Sequence, residues 1–177
     1  MKRIILITGG QRSGKSSKAE ELALSLSDHP VYMATAHIWD EEFSERVRRH
    51  QERRGPQWTN IAGEMTLSKH DVTGRVVVID CVTLWLTNIL YSEELRVKSE
   101  EFANLNSSLN LAKAEFDKFT ETDATYIFVT NEIGSGGVSD NALQRKFTDL
   151  QGWMNQYIAS KADEVILMVA GIAVKIK

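Results

Sequence analysis

The chain has 177 residues, 42% of them hydrophobic and 25% charged, which is about one domain of ordinary soluble composition. Lys and Arg total 21 against 24 Asp and Glu, a formal charge of −3, and that excludes a protein that coats nucleic acid or another polyanion by net charge. A single cysteine, Cys81, excludes an internal disulfide and suits a reducing compartment.

Ile4-Ile5-Leu6-Ile7 is a continuous apolar run ending in Gly9-Gly10, the pattern of a strand buried on both faces. It is too short for the apolar core of a signal peptide. Lys15–Leu26 reads as a helix, with Ala19, Leu22, Ala23 and Leu26 at helical spacing. Val31–Ala36 reads as a second strand, opened by Pro30. Asp40–Arg54 is a charged helix stopped by Gly55-Pro56. Thr59–Gly74 shows no decided pattern. Val76–Asp80 is the next buried strand. Val82–Tyr91 and Ser99–Phe119 read as helices, Tyr126–Thr130 as a strand, and Ser135–Gly137 as a flexible loop. Asn141–Lys161 is a long helix. Val165–Val169 and Ala173–Ile176 read as strands joined too tightly for a crossover, so they should pair antiparallel.

Alternating apolar strands and helices predict an α/β fold, a mainly parallel sheet flanked by helices with an antiparallel C-terminal strand pair. The expectation is a single nucleotide-binding domain over residues 1–177. The longest apolar run, Val165–Val174, falls short of the roughly 20 residues of a membrane span. A cytoplasmic protein without a membrane span is expected.

Gly9-Gly10-Gln11-Arg12-Ser13-Gly14-Lys15-Ser16 matches the phosphate-loop (P-loop) pattern G-x-x-x-x-G-K-[ST], with a buried strand before it and a helix after it. Glycines let the backbone aim several N–H groups at one anion, and the helix N-terminus adds its positive dipole end. Lys15 should reach the β/γ-phosphates, and the Ser16 hydroxyl should bind Mg²⁺. Asp80 closes a neighbouring buried strand and is the candidate second metal ligand. Its alternative role is to cap the helix that begins near Val82. A guanine-reading N-K-x-D motif is absent, so the loop by itself leaves kinase, ATPase and GTPase open.

Asp40–Arg54 places Arg46, Arg48, Arg49, Arg53 and Arg54 around His50. On a helix, Arg46, His50 and Arg54 share a face. Positive neighbours lower a histidine pKa and favour the neutral, nucleophilic ring, which could attack a bound phosphate. The bland reading is a solvated helix face with Glu41, Glu42 and Glu45 pairing the arginines.

Beyond the phosphate loop, Tyr32-Met33-Ala34-Thr35-Ala36, Arg46–Arg54, Val129-Thr130-Asn131-Glu132-Ile133-Gly134 and the tail from Ala162-Asp163-Glu164-Val165 through Gly171–Lys177 form a pattern that runs end to end. In these segments the chain resembles the bifunctional adenosylcobinamide kinase/adenosylcobinamide-phosphate guanylyltransferase family of cobalamin biosynthesis. The resemblance implies a P-loop fold and two reactions. A nucleoside triphosphate phosphorylates adenosylcobinamide. GTP then donates GMP to that phosphate through a covalent GMP–histidine intermediate, giving adenosylcobinamide-GDP and pyrophosphate. It implies that His50 is the nucleophile and that the arginines clamp phosphates. It implies nucleotide contacts at Ala34-Thr35-Ala36 and Gln51-Glu52-Arg53-Arg54, and it implies Mg²⁺, GTP and ATP, and a homotrimer. Where many relatives have a guanine-contacting Glu, this chain has Ala62, with Glu64 nearby. The strand-end acid, often Glu, is Asp80. Trp39, Trp85 and Tyr91 are candidates for lining a corrinoid site. Two competing readings are a metabolite kinase without nucleotidyl transfer and a non-enzymatic nucleotide switch.

Overall fold

The computed structural model describes residues 1–36, 48, 54–62, 65–96 and 105–177. Apart from Arg48 and Arg54, the expected helix Asp40–Arg54 lies outside the described residues. His50, Gln51, Glu52 and Arg53 are outside them, as are Trp39, Glu64 and the first part of the helix expected from Ser99.

In chain order the elements are β1 (Arg3–Gly9), α1 (Lys15–Leu26), β2 (Val31–Ala34), β3 (Thr59–Ala62), β4 (Val76–Asp80), α2 (Val82–Arg96), α3 (Leu105–Phe119), β5 (Thr125–Val129), α4 (Ala142–Lys161), β6 (Glu164–Val169) and β7 (Ile172–Lys175). Among the described residues the strands form one seven-stranded sheet in the order β3-β2-β4-β5-β1-β6-β7. Every neighbouring pair is parallel except β6 and β7. The predicted class and the antiparallel C-terminal pair are both present. No described helix is long and apolar enough to cross a membrane.

The period-two alternation of each strand divides the core between the two faces of the sheet. Ile4, Leu6, Val77, Ile79, Tyr126 and Phe128 pack with Trp85, Phe116, Leu150, Met154 and Ile158 from α2, α3 and α4. Ile5, Ile7, Val78, Ile127 and Val129 pack with Ala19 and Ala23 of α1 and with Tyr32 and Trp58. β1 is buried on both faces because α1 covers one and α2, α3 and α4 cover the other. That burial explains its unbroken apolar sequence. Its C-terminal end, with those of β4 and β5, opens where ligands bind in parallel α/β sheets.

Several boundaries differ from the sequence reading. β2 stops at Ala34, and the following Thr35 N–H donates to the Asp80 carbonyl at 3.0 Å. α2 continues past Tyr91 to Arg96, and Gly134–Gly136 forms a 3₁₀ turn that overlaps the loop expected at Ser135–Gly137. The undecided stretch contains an edge strand, Thr59–Ala62, parallel to β2 and mostly exposed. Trp85 is a core residue rather than a corrinoid-lining one: it is fully buried, and its indole Nε1 donates to the Met65 carbonyl at 2.8 Å. Trp85→Ala is expected to lower unfolding stability by about 3–5 kcal/mol, the usual cost of deleting a large buried aromatic. Urea denaturation followed by circular dichroism measures it.

Candidate active site at the phosphate loop

The loop from Gly9 to Ser16 joins β1 to α1, and its backbone geometry explains its glycines. Gly14, the N-cap of α1, has φ 95, and Arg12 reaches φ 57. An added Cβ on Gly9 would run into the Met168 carbonyl of β6. The Ser13 carbonyl accepts the Gly171 N–H at 3.0 Å, and the Gly9 carbonyl accepts the Glu132 N–H at 3.0 Å. Lys15 is only 7% exposed, and its ammonium donates to the Gly10 carbonyl at 2.6 Å and reaches Ser13 Oγ at 3.5 Å. Burial lowers the Lys15 pKa, against the opposing attraction of Cys81 and Asp80.

Beside the loop lies a cavity of about 610 Å³. Of the sequence-predicted residues, Gln11, Arg12, Ser13, Gly14, Lys15, Ser16, Ala34, Ala36, Arg54 and Asp80 line it. Gly9 and Gly10 form the base of the loop. Thr35 is fully buried behind the wall, its hydroxyl donating to the Cys81 carbonyl at 2.7 Å and accepting the Cys81 N–H at 2.8 Å. Ala62 is exposed at the end of β3 and is not among the lining residues.

Asp80 Oδ2 accepts the Tyr32 hydroxyl at 2.6 Å. Burial, and then the Asp80 charge, raises the Tyr32 pKa well above its usual value, so the phenol stays protonated and donating. The Arg54 guanidinium lies 3.6 Å from the Tyr32 ring centroid. Its Nε donates to Asn60 Oδ1 at 2.8 Å, and its Nη1 pairs with Glu20 at 3.4 Å. Cys81 occupies the capping position at the start of α2, its sulfur accepting hydrogen bonds from Thr83 and Leu84. Asp80 is thereby left facing the cavity. Among the described residues no group of three His, Cys, Asp or Glu side chains is placed to hold a metal. One strand-end carboxylate and the Ser16 hydroxyl do suit Mg²⁺, which takes its remaining ligands from phosphates and water.

The cavity also has walls that residue spacing did not identify: Tyr32, Leu84, Val129, Asn131 and Ile133. The signal for Asn131 was its place just beyond a buried parallel strand, where ligands bind in such sheets. Burial and the Asp80 charge push the Cys81 thiol up to about 12. At pH 8 the folded protein is therefore expected to react with a disulfide reagent about 10³-fold more slowly than the denatured chain. Comparable rates, read by absorbance, would contradict that burial.

Residues 5–176 match the family model for cobinamide kinase/cobinamide phosphate guanyltransferase. The chain is 35% identical to the bifunctional adenosylcobalamin biosynthesis protein CobU of Escherichia coli (strain K12), over 98% of this chain and 99% of that one. It is also 35% identical to the bifunctional adenosylcobalamin biosynthesis protein CobP of Pseudomonas aeruginosa, over 97% of this chain and 96% of that one. A solved ATPase from the type III secretion system of pathogenic bacteria shares the fold, with a TM-score of 0.55 at 10% identity, over 98% of this chain and 56% of that one. The chain therefore belongs to the cobinamide kinase/cobinamide phosphate guanyltransferase family.

Proposed function

We propose that this chain phosphorylates adenosylcobinamide with ATP or GTP and then transfers GMP from GTP to the phosphate it has made. The observation that supports this reading most is a buried phosphate-loop lysine sharing one cavity with a strand-end carboxylate, in a chain of this family. In the first reaction the substrate hydroxyl oxygen bonds to the γ-phosphorus, and the nucleoside diphosphate leaves with the bridging oxygen. In the second, a ring nitrogen of His50 bonds to the α-phosphorus and pyrophosphate leaves. A phosphate oxygen of the corrinoid then displaces the histidine. The role of His50 rests on its place in the arginine-rich family motif, because the residue lies outside those described.

Lys15 exchanges the Gly10 carbonyl for nucleotide phosphate oxygens, and the loop N–H groups hold the remaining charge. Ser16 and Asp80 would hold Mg²⁺, which supplies charge neutralisation on the phosphates. Arg53 and Arg54 stand at the end of the His50 segment, with Gln51 and Glu52 as further nucleotide contacts. The cation of Arg54 already borders the cavity. Ala62 offers no carboxylate to a guanine, so base selection rests on other groups. A cytoplasmic homotrimer is part of the same reading.

Incubation with GTP labelled at the α-phosphate tests the covalent step. Wild-type protein is expected to gain an acid-labile, base-stable label. His50→Ala should lose the label and guanylyl transfer but keep phosphorylation of adenosylcobinamide. A labelled alanine variant would refute the assignment. Lys15→Ala should slow both reactions by about 10²-fold or more, the scale for removing one preorganised electrostatic donor. Near-normal turnover of either reaction would show that the two do not share the loop.

A further inference from the structure

One wall of the cavity has no task in the reactions above. β5 lies between β4 and β1, so its end falls between Asp80 and the phosphate loop. Thr130 N–H donates to the Ile7 carbonyl at 2.9 Å and Glu132 N–H to the Gly9 carbonyl at 3.0 Å. The chain thus runs along the base of the loop, with Asn131 in the middle and bordering the cavity.

The Asn131 carboxamide is fixed. Its backbone N–H and its Nδ2 both donate to Thr83 Oγ1, each at 3.1 Å. Thr83 Oγ1 accepts both of these bonds. From the other side, the Asn131 backbone carbonyl accepts from Asn155 Nδ2 at 3.1 Å, and Asn155 Oδ1 accepts from Thr130 Oγ1 at 2.7 Å and Gln151 Nε2 at 2.9 Å. Thr130 and Gln151 are almost fully buried, so α2 and α4 grip the strand end between them. Asn131 Oδ1 is left as an acceptor with no partner among the described residues.

An acceptor at this position repels phosphate oxygens and calls for a donor. The phosphorylation reaction brings one, the attacking hydroxyl. In guanylyl transfer the corrinoid attacks with a phosphate oxygen, which has no hydrogen to give. We propose that Asn131 orients the attacking hydroxyl in phosphoryl transfer and has no counterpart role in guanylyl transfer, with Thr83 as its positioning residue. The inference rests on the two-reaction function proposed above. The hydroxyl oxygen forms its bond to the γ-phosphorus while the bond to the β–γ bridging oxygen breaks, and that oxygen keeps the electron pair. The hydroxyl proton passes to solvent water, since a carboxamide is too weak a base to hold it. Asn131 contributes alignment of the reacting atoms at about 3–3.5 Å.

The test compares the two reactions in the same variants, using adenosylcobinamide with ATP and adenosylcobinamide phosphate with GTP. Asn131→Ala is expected to lower kcat for phosphorylation by about 10- to 100-fold. Its guanylyl transfer and nucleotide KM should stay within about twofold of wild type. Thr83→Val should reproduce that selective loss and Thr83→Ser should restore it. Intact guanylyl transfer doubles as proof that each variant is folded. An equal fall in both reactions, or no change in phosphorylation, overturns the role of Asn131. If wild-type protein lacks either reaction, the function falls first and this inference with it.

Discussion

Two backbone hydrogen bonds hold the phosphate loop in shape: Gly171 N–H to the Ser13 carbonyl and Glu132 N–H to the Gly9 carbonyl, both at 3.0 Å. They tie the loop to the chain segments that follow β6 and β5, the two parallel neighbours of β1. The approach is close enough to dictate residue type. A side chain on Gly9 would collide with the Met168 carbonyl, and Gly14 holds φ 95, a conformation that residues with a Cβ rarely adopt. Gly171 sits in a two-residue hairpin turn with φ 83, next to Ala170 with φ 51, as a type I′ turn requires. The C-terminal hairpin is therefore part of the phosphate site, although it is the segment farthest from the loop in sequence. A loop held this way presents its N–H groups without further ordering when an anion arrives.

The charges around the loop follow from the same packing. Lys15 is held where desolvation weakens its preference for the proton, with a carbonyl and a hydroxyl as its hydrogen-bond partners among the described residues. A polyanion entering such a site meets a cation poorly screened by water, which is where electrostatic stabilisation is strongest. Asp80 is steered by Tyr32, and Tyr32 is covered by Arg54. Arg54 also closes the segment that contains His50, and its contacts with Asn60 and Glu20 pin the end of that segment to the cavity wall. Through the Tyr32 ring, one guanidinium thus links Asp80 to the chain that bears the proposed nucleophile.

The parallel sheet was legible because its strands are apolar on both faces, and the loop because its glycines and Lys15 serve a backbone shape that tolerates few substitutes. β3 was not, because Thr-Asn-Ile-Ala lies on an exposed edge where neither alternation nor continuous burial is imposed. That the Asp80 carboxylate pairs with Tyr32 was legible only in three dimensions, because the two lie 48 residues apart in sequence on neighbouring strands. Trp85 could line a ligand surface, although an aromatic in such a pattern is more often core, and its full burial places it in the core. Asn131 stood inside a recognised motif, but its orientation depends on Thr83 and Asn155, distant in sequence and brought beside it by the sheet order. Side-chain orientation set by such long-range partners leaves no local pattern to read.

One phosphate loop is proposed to serve both the phosphoryl and the guanylyl reactions. Calorimetric titration with hydrolysis-resistant analogues of ATP and GTP tests it most directly. One nucleotide should bind per chain, with each analogue displacing the other competitively and Lys15→Ala weakening both. Two nucleotides bound at once to each chain, or loss of only one of them in Lys15→Ala, would contradict it.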